Sequence, residues 1–533
     1  MLSTDPAVLI GLLCLSIAGL TGVAAFFFIR AVYRYLTDPY DLKRFPAPSI
    51  VAAVTPLWCF KHSAVGNRFQ ALDDAHQKLG EMVRIGPDHV SINMLEAIKD
   101  IYGHGSMGRL MKADFYDTLA GEYHNIANTR DREEHQRKRK YISNAFALSN
   151  ILELEPKIAG TLSLLLSKLD QMASTTERSR ALDVHDWLSF FTFDVISQVA
   201  VGETFGFLQN GSDQFRGQTK YGKPGKWHVV PSTITSQRAA FRFKVALGQM
   251  SKAWYDFWTR ILWFSRGKTD VDMFTAVAIG QVRERIRKDK DLEAFPPDFM
   301  SRLLKDKEGK PRNLPFMELV SEAIVLLNAG SDTTSSGLTS AIWELATHPA
   351  ARKELQKELD GALGEVELDN GFRVATYEQV KDLKYLQACL TETLRLNPPI
   401  PYGPPRLIID PKGVMVAGEH FRYGTTVSVP TYSIMRHPDI FPDPNAFRPE
   451  RWLEGDEIRK EMMQQAYIPF STGPRACLGR NLATIEQHIV LATLFHRYDL
   501  ELVDKNFIPH LKEGFNLDPG PLPITIRRRK RNH

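Results

Sequence analysis

The most informative segment of this 533-residue chain is Phe470-Ser471-Thr472-Gly473-Pro474-Arg475-Ala476-Cys477-Leu478-Gly479. Two glycines and a proline bracket Cys477, so the backbone turns sharply and its amides can point at the sulfur atom. A thiolate would accept those hydrogen bonds and be held deprotonated. Helical sequence follows the loop directly, and a helix amino terminus near the sulfur also favours negative charge. Arg475 would lie on the same side of the loop and could bind a nearby anionic group.

The other three cysteines have no comparable surroundings. Cys14, Cys59 and Cys389 are far apart in the sequence, and no two cysteines lie at the spacing of metal ligands. Four cysteines in so long a chain do not make a disulfide framework. We interpret the three as small buried hydrophobic residues.

A long helix is predicted from about Pro315, which suits a first helical turn, to His348, where Pro349 stops it. Its apolar periodicity is interrupted at mid-length by Ala329-Gly330-Ser331-Asp332-Thr333-Thr334. Glycine costs about 1 kcal/mol in a helix interior, and Asp and Thr are mediocre helix formers. A buried helix with so weak a centre is expected to use those residues for function.

These two segments together resemble the cytochrome P-450 family. Its cysteine-loop pattern is F-x-x-G-x-R-x-C-x-G, and Phe470, Gly473, Arg475, Cys477 and Gly479 match every specified position. The resemblance implies that these residues bind haem b and that Cys477 is the thiolate ligand of the haem iron. Such a ligand favours cleavage of the O–O bond.

The helix segment matches the family pattern A/G-G-x-D/E-T-T/S. By this resemblance Thr333 would hydrogen-bond to dioxygen or an ordered water, and Asp332 would relay protons inward. Gly330 would allow close approach of oxygen to the backbone. The alternative interpretation is a helix kink filled by small residues.

A helix predicted over Lys384–Asn397 carries Glu392 and Arg395, which resemble the family's E-x-x-R motif. Alone, such a pair is an ordinary surface contact worth a few tenths of a kcal/mol. The downstream segment Phe447–Trp452, with Arg451, is similar to the family's P-E-R-F/W segment. The resemblance implies that Glu392, Arg395 and Arg451 form one buried structural network.

The residues that would hold the haem propionates follow the family less closely. The usual W-x-x-x-R of an early helix is replaced by His135 and Arg139, and histidine can also donate an N–H. We predict propionate contacts from His135, Arg139, Arg406 and Arg475; the alternative for the first two is a solvated basic face. The basic run Arg130, Arg132, Arg137, Lys138 and Lys140 predicts docking of an acidic flavoprotein, the NADPH-cytochrome P-450 reductase.

The amino terminus is predicted to be a membrane anchor. Residues 8–29 carry no charge and are long enough to span a bilayer, whereas a cleaved signal peptide would have a basic start. The expected organisation is an anchor at 1–30, a basic and proline-containing hinge at 31–50, and a catalytic domain at 51–533. Basic residues after the span predict an endoplasmic reticulum protein that faces the cytosol.

Composition agrees with a globular enzyme. Hydrophobic residues make up 43% of the chain, and the formal net charge of +5 is small, which argues against nucleic acid as a partner. The basic run Arg527–Arg531 near the carboxyl terminus is predicted to be a solvated tail. Strand-like patches near Met82–Ile92 and Gly413–Val429 interrupt otherwise helical periodicity, so we expect a mainly α fold with a small β-rich lobe, the cytochrome P-450 fold.

The resemblance implies an NADPH-dependent monooxygenase that inserts one atom of O2 into a lipophilic small molecule. The general pattern of the sequence is similar to that of fungal microsomal members of the pisatin-demethylase-like group, which points to a substrate from secondary metabolism. Two alternatives stay open. One is an isomerase or dehydratase of the same fold that does not use O2, and the other is a non-catalytic membrane haem-binding protein.

Overall fold

The computed structural model describes residues 26–173, 181–219, 226–250, 252–261, 266–289, 298–306, 308–364 and 374–529. Helices dominate these ranges. In chain order they are α1 (26–37), α2 (Ile50–Val54), α3 (Leu57–Val65), α4 (Arg68–Leu79), α5 (Leu95–Tyr102), α6 (Phe115–Leu119), α7 (Arg132–Ile142), α8 (Leu148–Leu152), α9 (Glu155–Ala173), α10 (Val184–Val201), α11 (Phe207–Asn210), α12 (Thr233–Gly248), α13 (Lys252–Ile261), α14 (Arg266–Asp289), α15 (Phe299–Leu304), α16 (Phe316–Thr347), α17 (Pro349–Leu363), α18 (Tyr377–Val380), α19 (Lys384–Leu396), α20 (Thr431–Ile434), α21 (Glu457–Ala466) and α22 (Arg480–Arg497).

The strands are short and form small sheets. They are β1 (Met82–Arg84), β2 (His89–Ile92), β3 (Leu110–Lys112), β4 (Leu182–Asp183), β5 (Phe215–Gly217), β6 (His228–Val230), β7 (Arg406–Ile408), β8 (Val414–Val416), β9 (Glu419–Phe421), β10 (Thr426–Ser428), β11 (Tyr498–Leu502), β12 (Lys512–Glu513), β13 (Leu517–Asp518) and β14 (Pro523–Arg528). This confirms the mainly α fold with a small β component and both predicted strand regions.

The largest sheet has the strand order β1-β2-β10-β7-β3. Strand β10 runs parallel to β2 and antiparallel to β7, so chain segments more than three hundred residues apart lie side by side. Strand β3 pairs with β7 in a register that places Lys112 opposite Arg406. A second sheet has the order β11-β14-β4.

The two largest hydrophobic clusters hold these helices and sheets together. The larger one joins the long helices and contains Phe191, Leu327, Ile342 and Ile489 among many others. The smaller one lies under the first sheet and the loops around it, where Phe421 and Phe441 are fully buried. Burial of that much aliphatic and aromatic surface is the main favourable term for folding.

Helix α16 crosses the middle of the larger cluster, and its bounds agree with the helix predicted from about Pro315 to His348. It packs most extensively against α10, and most of its side chains are buried on every side. At the crossing, a side chain on Gly330 would come within 2.5 Å of Ile196 on α10. The glycine therefore allows close helix packing, and it also lines the cavity described below, so the expected access of oxygen stays a prediction.

The amino-terminal part of the chain was predicted to contain a membrane anchor and a hinge. Within the described ranges, no helix is both apolar and long enough to cross a bilayer; the predicted span, residues 8–29, lies mostly outside those ranges. In the predicted hinge, Phe45 is buried and stacks on Phe421 at 5.4 Å between ring centroids.

Of the predicted solvated carboxyl-terminal tail, Arg527 and Arg528 are exposed as expected, but they do not form a tail. Arg527 and Arg528 belong to β14, and the next residue, Arg529, is hydrogen-bonded to the carboxylate of Asp360. Arg528 pairs with Asp170 at 2.8 Å. Strand β14 pairs with β11 as far as Arg528, and its side chains Ile524 and Ile526 are buried. This alternation of buried residues is typical of a strand, but the arginines that follow made it hard to recognise in the sequence.

Candidate active site

Cys477 lies in a tight loop immediately before α22. Its backbone N–H donates to the carbonyl of Phe470 at 2.9 Å, and the backbone amides of Gly479 and Arg480 act to lower the pKa of its thiol. The side chain is exposed because it faces a cavity. Burial among protein atoms raises the pKa of the thiol, and the two amides together with Arg139 act in the opposite direction. Burial outweighs the other contributions, so the pKa of the thiol is raised overall; the loop presents this one sulfur atom to an internal space.

Gly473 shows why this loop requires glycine. Its φ is +70°, and a Cβ atom there would lie 2.0 Å from the carbonyl oxygen of Tyr102. Both the left-handed backbone and the lack of space exclude any other residue without rearrangement. The loop is therefore pressed against the end of α5, which fixes the position of Cys477.

The cavity beside Cys477 has a volume of about 320 Å³. Its walls come from the cysteine loop, the middle of α16, and segments around β3 and β7. Thr333 of α16 lines it and is half-buried, with its hydroxyl donating to the carbonyl of Ala329 at 2.6 Å. The sequence-predicted sulfur and hydroxyl thus border one space.

Asp332 is buried and does not line this cavity. Arg238 of α12 donates from Nε to one carboxylate oxygen at 2.8 Å, and Asn516 donates from Nδ2 to the other at 3.0 Å. Arg238 also lies 3.8 Å from the carboxylate of Asp518. Both oxygens of Asp332 are therefore held by residues from distant parts of the chain.

A cluster of cations borders the cavity next to the cysteine loop. We call Lys112, Arg139, Arg406 and Arg475 the cation cluster. Each donates to backbone carbonyls: Lys112 to Ala127, Arg139 to Ala476, Arg406 to Pro405 and Arg475 to Thr129. In the part of the chain that the structure describes, none of the four forms a salt bridge, and like charges face each other directly on β3 and β7.

The electrostatics of this cluster call for an anion. Burial and the neighbouring Arg406 and Arg475 hold the pKa of Lys112 well below its usual value, and burial with Arg406 lowers that of Arg475 to about 10. His135 is buried beside them, and burial together with Arg475 lowers its pKa to about 3, so it is neutral. Buried charge of one sign is costly without a partner. Two propionates next to a thiol ligand would supply that partner, so the residues fit haem b.

Glu392, Arg395 and Arg451 form a second buried charged group, which we call the glutamate network. Arg395 binds both oxygens of Glu392 at 2.8 Å, and Arg451 adds a contact at 2.9 Å. Trp452 donates to the same carboxylate at 2.9 Å. Burial alone would raise the pKa of Glu392, but the two arginines outweigh it and the pKa is lowered. The remaining guanidinium donors of Arg395 reach backbone carbonyls, including that of Met435.

The predicted basic docking run is largely unavailable at the surface. Lys138 is buried and pairs with Glu318 at 2.7 Å and Glu322 at 3.0 Å on α16. Arg137 also reaches Glu318. Two buried carboxylates on α16 thus neutralise part of α7, which the local sequence could not show. Of the run, the exposed members are Arg132 and Lys140.

Sequence reasoning missed three residues of this site: Lys112, Arg238 and Asn516. Lys112 stands in a short strand without a motif, and Arg238 and Asn516 reach Asp332 from α12 and from the turn between β12 and β13. No spacing rule links residues that meet only through the fold.

Comparisons with known proteins agree with this geometry. The family model described as cytochrome P-450 matches residues 51–526. Benzoate 4-monooxygenase of Aspergillus niger is 34% identical over 528 residues, covering 96% of this chain and 98% of that protein. A cytochrome P-450 monooxygenase of Stereocaulon alpinum is 31% identical over 469 residues, with 87% and 86% covered. Another from Aspergillus oryzae is 31% identical over 511 residues, with 94% of each chain covered.

Proposed function

Because this chain belongs to the cytochrome P-450 family, we propose that it inserts one atom of dioxygen into a lipophilic small molecule of secondary metabolism. As a monooxygenase of this family it binds haem b. The haem, when bound, supplies the redox chemistry that activates dioxygen. NADPH provides two electrons, and with two protons the second oxygen atom leaves as water.

The observation that carries this proposal is the surroundings of Cys477. The backbone amides of Gly479 and Arg480 favour a charged sulfur, α22 begins three residues later with its amide-rich end, and the side chain faces the cavity. These features offset part of the cost of charging a buried sulfur, a bound iron would supply the rest, and a thiolate is the ligand that favours O–O cleavage. Cys477 is therefore the proposed iron ligand, with Phe470, Gly473 and Gly479 shaping its loop.

The test uses the purified full chain, reduced under carbon monoxide. A red-shifted absorption band typical of thiolate ligation is expected for the natural sequence, and Cys477→Ser should abolish it. Cys59→Ser is the matched control, since a serine there can keep the hydrogen bond to the carbonyl of Ile85. A natural-sequence protein that binds haem without this band would refute the proposal.

Proton delivery is assigned to Asp332 and Thr333. The Thr333 hydroxyl lies at the cavity wall, where it can hold a proton donor in place, and the neighbouring carboxylate of Asp332 exchanges protons with the interior. Arg238 and Asn516 position that carboxylate. A proton path favours oxygen chemistry over an O2-independent isomerase or dehydratase, and over a haem-binding protein without catalysis, because neither of these needs one.

The cation cluster and His135 are proposed to hold the haem propionates. Arg406 and Arg475 border the cavity together with Lys112, and all three lack carboxylate partners among the described residues. His135 is neutral and can donate one N–H. Arg139 lies close to Cys477 and hydrogen-bonds to the carbonyl of Ala476, so it also contributes to the charge balance of the sulfur.

The proposed substrate is aromatic or otherwise strongly apolar. The far end of the cavity is lined by Tyr116, Phe241, Ile324, Val325 and Phe515, which suits a lipophilic molecule. The relative named benzoate 4-monooxygenase makes an aromatic ring the first candidate. Membership of the pisatin-demethylase-like group stays a prediction.

Electrons are proposed to come from an acidic NADPH-cytochrome P-450 reductase at the endoplasmic reticulum membrane, with residues 8–29 as the anchor and the lipid bilayer as the second partner. Lys140 is exposed on α7, and the adjacent residue Arg139 contacts the cysteine loop. Docking of the reductase at Lys140 would therefore bring its electron-donating group close to Cys477. Opposite charges on the two partners speed their encounter, most strongly at low salt.

Charge reversal tests this docking. Lys140→Glu should slow NADPH-driven turnover several-fold at low ionic strength and leave peroxide-driven turnover unchanged, because peroxide needs no reductase. Lys412→Glu, an exposed lysine before β8, is the matched control and should affect neither reaction. Equal losses in both reactions for Lys140→Glu would remove the docking assignment.

A further inference from the structure

Two polar contacts join α12 to α16 near the cavity. Arg238 binds Asp332, and one turn earlier along α16 Gln237 donates from Nε2 to Oδ1 of Asn328 at 2.6 Å. The first contact is ionic and lies outside the cavity lining. The second is neutral, and its Asn328 lines the cavity between the apolar positions Val325 and Ala329.

The neutral contact is incomplete within the protein. Asn328 and Gln237 are both buried, with relative exposures of 5% and 1%. Gln237 Oε1 has no hydrogen-bond partner, and among the described residues Nδ2 of Asn328 has none either. Inverting both amides would satisfy Gln237 Oε1 and turn the oxygen of Asn328 toward the cavity instead. Either way, Asn328 presents one uncharged hydrogen-bonding group to the cavity, and buried polar groups are rarely left unpaired.

The surroundings of Asn328 define what can pair with it. Phe241 follows Gln237 by one turn on α12, and its ring lies 6.1 Å from that of Phe515. The nearby cation, Arg238, is already engaged by Asp332. In the described ranges, the lysine and arginine side chains that line the cavity are those of the cation cluster, which lie on β3, β7, α7 and the cysteine loop. A carboxylate beside Asn328 would thus be buried without a cation, which is costly.

We propose that the side-chain amide of Asn328, held by Gln237, binds a neutral oxygen of an aromatic substrate, such as a ketone or hydroxyl group. The inference rests on the proposed function and narrows its substrate class. It separates this chain from an enzyme for aromatic carboxylates, although the relative named benzoate 4-monooxygenase is 34% identical to it. Asn328 is here a specificity-determining residue, and Gln237 is a positioning residue.

Calorimetric titration of the haem-loaded full chain with three matched probes tests the proposal: 2-acetylnaphthalene, 2-ethylnaphthalene and 2-naphthoate. The ketone should bind about 3–10-fold more tightly than the ethyl compound, which corresponds to one net hydrogen bond, and the carboxylate should bind most weakly. Asn328→Leu should bring ketone and ethyl compound to within about twofold of each other. Asn328→Ser is the second variant, with the same expected loss, in case leucine impairs folding.

Asn506→Leu, at an exposed position, is the matched control and should keep the natural preference. Tightest binding of the carboxylate, or an unchanged preference for the ketone in both Asn328 variants, would overturn the inference. Calorimetry does not depend on the iron ligand. Loss of the thiolate band with the ketone preference intact would therefore refute the proposed function alone.

Discussion

The glutamate network is buried and the cation cluster is buried or half-buried, and both contain arginines, but their charges are balanced differently. In the network, the carboxylate of Glu392 receives Arg395, Arg451 and Trp452, and its charge is balanced inside the protein. In the cluster, Arg406 and Lys112 face each other across β3 and β7 with backbone carbonyls as their acceptors.

This difference distinguishes a structural charge group from a binding site. A group whose charges are balanced within the chain gains nothing from a ligand, and removing one member leaves the others buried and unpaired. A group of one sign is strained until a ligand supplies the opposite charge. Two buried arginines of similar exposure, Arg395 at 0% and Arg406 at 6%, should therefore respond differently to the same substitution, the first in stability and the second in haem binding.

The largest effect is expected for Arg395→Met. The substitution removes the two hydrogen bonds that Arg395 donates to Glu392 and those that it donates to the carbonyls of Met435 and Pro444. The free energy of unfolding should therefore fall by about 3–5 kcal/mol. Urea unfolding of the haem-loaded protein, followed by circular dichroism, measures this. Arg459→Met, at an exposed position on α21, should change the value by less than about 0.5 kcal/mol.

A smaller effect, on the ligand rather than on the fold, is expected for Arg406→Met. The substitution removes one cation of the cluster and relieves its repulsion with Lys112, so the free energy of unfolding should change by less than about 1 kcal/mol. Loss of a charge-assisted bond to a propionate, worth about 1.5–3 kcal/mol, should speed transfer of haem to apomyoglobin by about tenfold or more. A destabilisation as large as that of Arg395→Met would contradict the distinction between the two groups.

The smallest effect is a dependence on pH that belongs to the network. The pKa of Glu392 is lowered in the folded protein, so its contribution to stability is present above the ordinary value of 4.5 and is lost as pH falls through the lowered pKa. Glu392→Gln should flatten the acid limb of the stability profile, because the substituted side chain no longer titrates. Glu461→Gln, on exposed helix surface, should leave the profile unchanged; identical profiles for all three proteins would show that Glu392 does not titrate as described.

Local sequence determined the elements on which function rests. The glycines and proline around Cys477 specify the turn, because left-handed backbone at Gly473 needs glycine and the following apolar periodicity specifies α22. The span of α16 and the placement of Thr333 on it follow from the same periodicity with a proline at each end. Glu392 and Arg395, three residues apart on α19, were also fixed as neighbours by helix geometry.

Which charges have partners depends on the three-dimensional fold. Lys138 stands in a basic run and yet is buried between two glutamates of α16, whereas Arg406 stands near no other cation in sequence and yet faces Lys112. Asp332 is met by Arg238 and Asn516, and Gln237 finds Asn328. The physical reason is that electrostatic and hydrogen-bond partners are chosen by distance in space, and sequence patterns report only the neighbours that a single helix, strand or turn brings together.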